Sequence, residues 1–341
     1  MGDPARLKRI ALLHLGRIHD ETPALRAHLA RRGIASELVP LPPLAEDALA
    51  GGDPAADEPL AADSPDWGRF DLVSVRDCRG SHRHGDFLPR IRALAQRLEA
   101  LGVPLANPLP VVEAGHAKND YLPRLAQEGV ALIPSRWLPR GWCGSLAELL
   151  ESCGWQEAVL KPAVGSLGWH TYRVGRDGAH LVVTAADGSR PVGAGAMAAG
   201  AVDGWLASLA RDGEVCLQPF LPAVCRDGEF SAVMLGGRFS HAVAKTVAAG
   251  GWIAHECFGG ANTLREASAS ERQWAAAIEE RLRRRFGVLP YARIDGLRDG
   301  AGELLLLECE LVIPRLFLGE GEAFDRYADV LLGPASTRMA W

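Results

Sequence analysis

The feature that most constrains this sequence is an acidic pattern inside an apolar stretch, Tyr291 to Phe317. The stretch reads YARIDGLRDGAGELLLLECELVIPRLF, which predicts two strands joined by a turn at residues 298–302. Residues two apart on a strand point to the same face, so Glu308 and Glu310 share one side. If the first strand folds back, Asp295 joins them. Carboxylates this close would favour protonation unless a hard cation binds them, so the pattern predicts a magnesium site beside a nucleotide phosphate.

The same acidic pattern also fits an ordinary hairpin whose acids face solvent. The flanking runs Leu304 to Leu307 and Leu311 to Ile313 are apolar, which is typical of strands buried on both faces. Acidic side chains inside such a strand need partners. The flanking residues therefore favour the buried, metal-binding alternative.

Length and composition limit the classes of protein that this chain can belong to. With 341 residues and 48% hydrophobic content, it is long enough for two or three globular domains. No apolar run approaches the ~20 residues that cross a bilayer, and the N-terminus lacks the pattern of a signal peptide. The seven cysteines are scattered without a CxxC pair, which favours reduced thiols. The net charge of -5, without a basic block, argues against nucleic acid, and we expect a cytoplasmic protein with no membrane partner.

The first third of the chain alternates short apolar strands with amphipathic helices, which is typical of a parallel α/β domain. A polar patch, residues 76–84, follows the third strand at the edge where such sheets bind ligands. No GxGxxG motif is present, so a dinucleotide fold of the usual kind is not expected. We predict a surface loop at residues 40–66, strands at residues 7–13, 34–39, 69–75 and 103–106, and helices at residues 23–32 and 87–101.

A loop in the middle of the chain offers contacts for a phosphate. Within Ala158 to Arg173, a strand ends at Lys161 and leads into a loop with Gly165, Ser166 and Gly168. Loop glycines let backbone amides approach a phosphate closely, and a lysine supplies a positive charge. A plain hairpin that happens to contain glycine fits the same residues, and the spacing alone does not decide between the two.

The remaining segments predict a connector, a hairpin and a covering loop. A buried strand that breaks near Pro219 can serve as an interdomain connector whose backbone faces an adenine edge. We predict strands at residues 214–220, 227–235 and 238–246, a substrate-covering loop at residues 248–262 and helices at residues 117–127, 203–210 and 270–286. Residues 186–202 are poor in large apolar groups, and we expect a mobile segment there.

The order of these pieces resembles the ATP-grasp ligases. The resemblance rests on the Lys118 helix, the Lys161-Pro162 strand, the QPFL segment at residues 218–221, DGEFSAVMLGGRFSHAVAK at residues 227–245 and the acidic strands. It covers roughly residues 70 to 320. Within the superfamily, the likeness is to the branch of the D-cycloserine cyclo-ligase and related glutathione-synthetase-like enzymes, which has glutamate at the position of Glu310.

The resemblance implies that the protein binds ATP and two magnesium ions, and it assigns a role to each residue that matches a family motif. For ATP, it implies that Lys118 and Lys161 approach the phosphates, that Gly165, Ser166 and Gly168 form the lid, and that Gln218, Phe220 and Leu221 form the adenine hinge. The ribose would contact Asp227 or Glu229.

For the reaction itself, the resemblance implies that Lys245 and Arg293 lie near the transferred phosphoryl group and that Asp295, Glu308 and Glu310 bind magnesium.

The chain departs from that branch where the substrate would lie. The segment Arg76-Asp77-Cys78-Arg79 keeps only the first residue of the branch's usual motif, and Ala114-Gly115-His116 replaces an expected Trp-Asn pair. Arg315 replaces a small residue after the metal strand, so an anionic group of the substrate would suit that rim. We expect the substrate pocket to contain Arg76, Arg79, His255 and Arg315, although surface ion pairs would also explain the arginines.

The implied activity is an ATP-dependent carboxylate–amine ligase that forms a carbon–nitrogen bond on an amino-acid-like substrate, either within one molecule or between two. An acyl phosphate is the implied intermediate, because a carboxylate is a poor acyl donor until it is phosphorylated. Two alternatives remain open, a phosphotransferase with a stable acceptor and a nucleotide-binding protein without turnover. The resemblance also implies a homo-oligomer, which no residue decides.

The implied fold class combines α/β and α+β parts. An N-terminal parallel α/β domain, the pre-ATP-grasp domain, precedes a small lid domain and a C-terminal antiparallel-sheet domain. The predicted boundaries are residues 1–110 for the N-terminal domain, 111–138 for the linker and central helix, 139–220 for the lid and 221–341 for the catalytic domain.

Overall fold

Three β-sheets, one after another along the chain, form the framework of this protein. The computed structural model describes residues 8–45, 60–61, 64–178, 180–193, 195–319 and 321–332. The first sheet has four strands, the second six and the third five. Most of the predicted 40–66 loop lies outside the described residues.

The first sheet is parallel, as the alternating pattern predicts. Its order is β2-β1-β3-β4, formed by Ala35–Pro40, Arg9–His14, Leu72–Asp77 and Leu105–Ala106. Helices α1 (Thr22–Arg31) and α2 (Phe87–Leu101) pack against it. Helix α2 buries Phe87, Ile91, Leu94 and Leu98, whose helical spacing explains why its predicted bounds agree with the structure.

The second sheet is antiparallel, with strand order β5-β10-β6-β7-β8-β9. These strands are Arg136–Leu138 (β5), Glu157–Pro162 (β6), Tyr172–Asp177 (β7), His180–Ala185 (β8), Met197–Ala198 (β9) and Val215–Pro219 (β10). Helices α5 (Leu146–Cys153) and α6 (Ala199–Asp212) share a core with it. Residues 186–202, which we expect to be mobile, end in regular structure, because Val202 is buried in that core and belongs to α6.

The third sheet is also antiparallel, in the order β13-β12-β11-β14-β15. Its strands are Glu229–Leu235 (β11), Arg238–Thr246 (β12), Ala261–Arg265 (β13), Tyr291–Arg298 (β14) and Leu304–Glu310 (β15). Helices α4 (Lys118–Gln127) and α8 (Ala269–Phe286) enclose its core. In this sheet Asp295 faces Glu308 and Arg293 faces Glu310 across β14 and β15, as the predicted hairpin requires.

Several short elements of eight residues or fewer escaped the sequence analysis. They include α3 (Leu109–His116), α5, α7 (Ala223–Asp227), β5, β8, β9 and β13. The last helix, α9 (Glu322–Leu332), buries Phe324 and Tyr327 beside strands of the first and third sheets, so these two sheets share a core. Within the part of the chain that the structure describes, no helix is long and apolar enough to span a membrane.

Candidate active site

One cavity of about 700 Å³ lies where the three sheets meet. Most of the residues predicted for the site line this cavity: Arg79, Lys118, Lys161, Gly165, Ser166, Gly168, Gln218, Phe220, Leu221, Glu229, Lys245, His255, Arg293, Glu308, Glu310 and Arg315. The other three, Arg76, Asp227 and Asp295, are not among its lining residues. The sequence pattern therefore assembles a single site from segments more than 200 residues apart.

An apolar part of the cavity lining, here called the apolar slot, lies beside the predicted hinge. Phe220, Trp252 and Leu307 line it, and the Phe220 amide donates to the Glu157 carbonyl at 3.0 Å. The buried indole Nε1 of Trp252 has no hydrogen-bond partner among the described residues. A flat ligand with a polar edge suits such a slot, because it fills an apolar space and can satisfy an orphaned donor.

Two lysines reach the middle of the cavity from different sheets. Lys118, at the start of α4, donates from Nζ to the Gly165 carbonyl at 2.9 Å and lies 3.4 Å from Glu308 Oε2. Burial would lower the pKa of Lys118, but the carboxylates of Glu308 and Glu310 outweigh it and raise that pKa. Lys161 comes from the end of β6, and among the described residues it makes no ion pair within 4 Å. The cavity therefore offers two positive charges, of which Lys118 is already paired with Glu308.

The glycine loop contacts the first sheet's domain and the covering loop at once. Ser166 Oγ lies 2.8 Å from Nδ1 of His82, which follows β3. Gly168 has φ +69°, and a Cβ built there would lie 2.5 Å from Cε2 of Phe258. Only glycine fits this position, because both the backbone conformation and the close contact exclude a side chain. The loop therefore closes one wall of the cavity.

The predicted carboxylates separate into two environments. Glu308 and Glu310 line the cavity from β15, whereas Asp295 is fully buried behind it. Asp295 accepts hydrogen bonds from Ser231 Oγ at 2.7 Å, Lys245 Nζ at 2.9 Å and Arg293 Nη2 at 2.7 Å. Within the described residues, no group of three or more His, Cys, Asp or Glu side chains is arranged to hold a metal ion. The arrangement thus differs from the predicted three-carboxylate cluster because two cations occupy the oxygens of Asp295.

Buried charges behind the cavity alter the protonation of their neighbours. Burial would raise the pKa of Asp295, but Arg293 and Lys245 hold it well below its usual range. Glu229 is hydrogen-bonded to Lys245, yet burial raises its pKa to about 7. Glu308 is ionised more readily than Glu229: burial would raise the pKa of Glu308, but Lys118 and Lys161 outweigh burial and lower that pKa. Arg293, Lys245 and Glu308 consequently carry full charges at neutral pH.

The cavity rim carries charged groups of both signs. Arg315 pairs with Glu256 and, at 3.1 Å, with Asp20, and Arg79 lies 3.6 Å from the same Asp20. Burial, with Lys245 and Arg293 nearby, lowers the pKa of His255 to about 4, so its ring is neutral at pH 7. This rim can recognise a molecule that bears both an anionic and a cationic group.

Two predicted residues lie elsewhere. Arg76 is fully buried and donates to Glu21 at 2.5 Å and to the Pro314 carbonyl at 3.3 Å, so it does not reach the cavity. Asp227 pairs with its neighbour Arg226 at 2.6 Å at the end of α7. Of the two residues considered for the ribose, only Glu229 lines the cavity.

Other cavity residues were not predicted. Asp20, Glu256, Trp252 and Phe317 all line the cavity. A signal existed for Glu256 and Trp252, since both lie in the predicted covering loop. Asp20 follows β1 at the same edge of the first sheet as Arg79, so the position of that edge offered the only signal.

Comparison with known proteins shows which proteins this chain is similar to. No model of a protein family matches the chain. The chain is 28% identical to the cycloserine biosynthesis protein DcsG of Streptomyces lavendulae over 266 residues, which cover 74% of this chain and 79% of DcsG. The crystal structure of D-cycloserine synthetase DcsG is 25% identical, with a TM-score of 0.70 over 95% of this chain and 98% of that one.

More distant structures share the fold alone. A RimK domain ATP-grasp protein from Sphaerobacter thermophilus is 18% identical, with a TM-score of 0.58 over 95% of this chain and 100% of that one. The D-alanine–D-alanine ligase of Bacillus anthracis, in complex with ATP, is 14% identical, with a TM-score of 0.58 over 95% of this chain and 96% of that one. The predicted α/β and α+β fold class is confirmed. The chain is similar in sequence to DcsG and has the fold of the ATP-grasp ligases.

Proposed function

We propose that this chain is an ATP- and magnesium-dependent carboxylate–amine ligase that acts on an amino-acid-like substrate through an acyl phosphate. One observation carries the proposal. One cavity is lined by Lys118, Lys161, Lys245 and Arg293 together with two carboxylates, Glu308 and Glu310, and the same lining contains the apolar slot and the rim of mixed charge. Phosphoryl transfer requires mainly such positioning and charge neutralisation.

The slot and the lysines suit ATP. We assign the adenine to the apolar slot beside Gln218, Phe220 and Leu221, where Trp252 Nε1 would gain a partner. Lys118 and Lys161 then meet the phosphates, under the lid formed by Gly165, Ser166 and Gly168. Glu229 is the acid assigned to the ribose. The D-alanine–D-alanine ligase of this fold was solved with ATP, which supports the same ligand here.

Magnesium fits the carboxylates that face the cavity. Glu308 and Glu310 would hold it, because this ion is usually bound by one or two carboxylates together with substrate phosphates. Asp295 lies across the strand pair from Glu308, but Arg293, Lys245 and Ser231 occupy its oxygens. We propose two ions, which when bound would neutralise the negative charge that develops during phosphoryl transfer.

The rim would bind the acyl donor. Arg79 and Arg315 suit its negative group. The neutral ring of His255 accepts from the Cys257 amide at Nδ1, so its Nε2 can donate a hydrogen bond to the substrate. The substrate carboxylate attacks the terminal phosphorus of ATP, and ADP leaves with the electron pair of the broken phosphorus–oxygen bond. Arg293 and Lys245, held by Asp295, stabilise the transferred group.

An amine completes the reaction. Its nitrogen lone pair attacks the acyl carbon, phosphate leaves, and the nitrogen loses one proton as the carbon–nitrogen bond forms. Water would hydrolyse the acyl phosphate, so the lid must exclude it. The contacts of Ser166 with His82 and of Gly168 with Phe258 hold the lid over the cavity.

The test is acid-dependent release of ADP from ATP and magnesium. A panel of amino acids and dipeptide-like acids is added one at a time, with hydroxylamine present to trap an acyl phosphate as a hydroxamate. We expect one class of acid to stimulate ADP release and to give a hydroxamate. ADP release with a stable phosphorylated product would instead indicate the phosphotransferase, and ATP binding without turnover on any acid would indicate a binding protein.

A further inference from the structure

A strap of eight residues, Leu311–Leu318, follows β15 and forms one wall of the cavity. The strap contributes Val312, Ile313, Arg315 and Phe317 to the lining. Side chains of other elements donate hydrogen bonds to four of its backbone carbonyls: Asn107 Nδ2 to Leu311 (2.6 Å), Tyr291 Oη to Val312 (3.0 Å), Arg76 Nε to Pro314 (3.3 Å) and Arg293 Nη1 to Arg315 (3.1 Å). His241 Nε2 lies 2.8 Å from a fifth, the Leu316 carbonyl. The strap's shape is therefore imposed from outside.

Two backbone amides of the strap donate to one buried carboxylate. Glu21, which precedes α1, accepts from the Leu316 amide at 2.9 Å through Oε2 and from the Leu318 amide at 2.8 Å through Oε1. Arg76 Nη2 donates to the same carboxylate at 2.5 Å, and the Arg76 side chain is 1% exposed. A charged acceptor for two amides is a strong anchor, and the buried arginine neutralises it.

The residue between those amides has an unfavourable backbone conformation. Phe317 has φ +51°, in the left-handed region that bulky side chains avoid. Such a conformation persists only where the surroundings enforce it, and it is common at functional sites. Here the Glu21 carboxylate holds the amides on both sides of Phe317.

The strained residue organises two arginines of the site. The guanidinium carbons of Arg315 and Arg293 lie 5.1 Å and 5.7 Å from the centre of the Phe317 ring. Arg293 also donates to the Arg315 carbonyl, so the strap's backbone fixes the arginine beside the reacting phosphoryl group. A change at Phe317 thus reaches both the rim and the catalytic cations.

We propose that Glu21 and Arg76 are positioning residues. The buried pair holds Phe317 in its left-handed conformation and thereby sets Arg315 for the substrate and Arg293 for the chemistry. This role rests on the proposed function and deepens it. Because both residues belong to the first sheet's domain whereas the strap belongs to the third, the pair also aligns Arg79 with Arg315 across the pocket.

The primary test is Glu21→Gln in the full-length chain. Glutamine keeps the size but loses the charge and one acceptor oxygen. With the acid identified by the ADP-release panel, we expect KM for that acid to rise about tenfold, because small displacements of positioning groups are costly. KM for ATP should change less than about twofold, since the lysines and the hinge do not contact the strap's anchor. Glu37→Gln, at a surface pair with Arg69, is the matched control.

A double-mutant cycle separates this role from general destabilisation. Glycine adopts a positive φ without strain, so in Phe317→Gly the left-handed conformation no longer has to be enforced by Glu21. We expect the fold-increase in KM for the acid caused by Glu21→Gln to be at least about three times smaller in the Phe317→Gly background than in the parent chain. An equal effect of Glu21→Gln in both backgrounds, or parallel changes in both KM values, would overturn the proposal.

Hydrogen exchange provides a test that does not depend on activity. The Leu316 and Leu318 amides should exchange faster in Glu21→Gln than in the parent chain, with unchanged protection in α2. Unchanged protection of the two amides would overturn the anchor itself. If the parent chain turns over no acid, the proposed function fails, and the exchange experiment still decides whether Glu21 holds the strap.

Discussion

At the scale of single residues, the site depends on opposite charges that stabilise each other's ionised forms. Glu308 keeps a lowered pKa despite burial because Lys118 and Lys161 are close, and the same contact raises the pKa of Lys118. Neither group therefore changes protonation near neutral pH. When a nucleotide binds, Lys118 would contact a phosphate instead of Glu308, and Glu308 would contact a metal ion.

Replacing that carboxylate tests its role in binding magnesium. In Glu308→Gln, the side chain keeps its size but loses the charge that a hard cation prefers. We expect kcat to fall about a hundredfold or more and the magnesium concentration for half-maximal rate to rise. Initial rates of ADP release across a magnesium titration measure both. Glu303→Gln, in the exposed turn before β15, is the control, and a Glu308 variant with the parent's magnesium dependence would contradict the assignment.

At the scale of elements, a single glutamate connects the start of α8 to two strands. Glu271 forms a capping box with Ser268 and accepts from Arg265 on β13 at 2.6 and 2.9 Å and from Arg298 on β14 at 2.6 Å. The hydrogen bonds from Arg265 lower the pKa of Glu271 to about 2. The third sheet and its covering helix are thus held in register at one buried carboxylate.

This contact predicts a defined pH dependence of stability. The pKa in the folded state lies below the usual value of 4.5, so the ionised carboxylate stabilises the fold above that pH, and the stabilisation fades as pH falls toward 2. We expect Glu271→Gln to cost about 1 kcal/mol or more at pH 7, and much less near pH 2. Thermal unfolding at several pH values measures the difference. The exposed Glu280→Gln, on the same helix, should show little effect, and a pH-independent cost of Glu271→Gln would contradict the account.

At the scale of the whole molecule, the sequence predicts elements better than it predicts partners. Helix α2 and strand β12 were predicted to the residue, because their apolar spacing extends over 15 and 9 residues. Helices α3 and α5 have only eight residues each, too few for a periodic pattern to stand out. The fold class was implied by the resemblance to the ATP-grasp ligases, which rests on the order of the sequence motifs.

Two of the three predicted site residues that do not line the cavity, Arg76 and Asp295, share a physical cause. Arg76 binds Glu21, 55 residues away, and Asp295 binds Lys245, 50 residues away. Periodicity shows which face a side chain is on, but it does not show which distant charge will neutralise it. The left-handed backbone of Phe317 likewise leaves no trace in the sequence, because glycine and asparagine are the residues that usually mark such a conformation.

The most direct test of the central claim follows the oxygen atoms of the substrate carboxylate. The acid identified by the ADP-release panel is labelled with ¹⁸O in its carboxylate and turned over with ATP, magnesium and an amine, and the released phosphate is analysed by mass spectrometry. An acyl phosphate retains one carboxylate oxygen on phosphorus when the amine displaces phosphate, so we predict one ¹⁸O atom in the product phosphate. Phosphate that carries no ¹⁸O while the amide forms would contradict the mechanism proposed for this ligase.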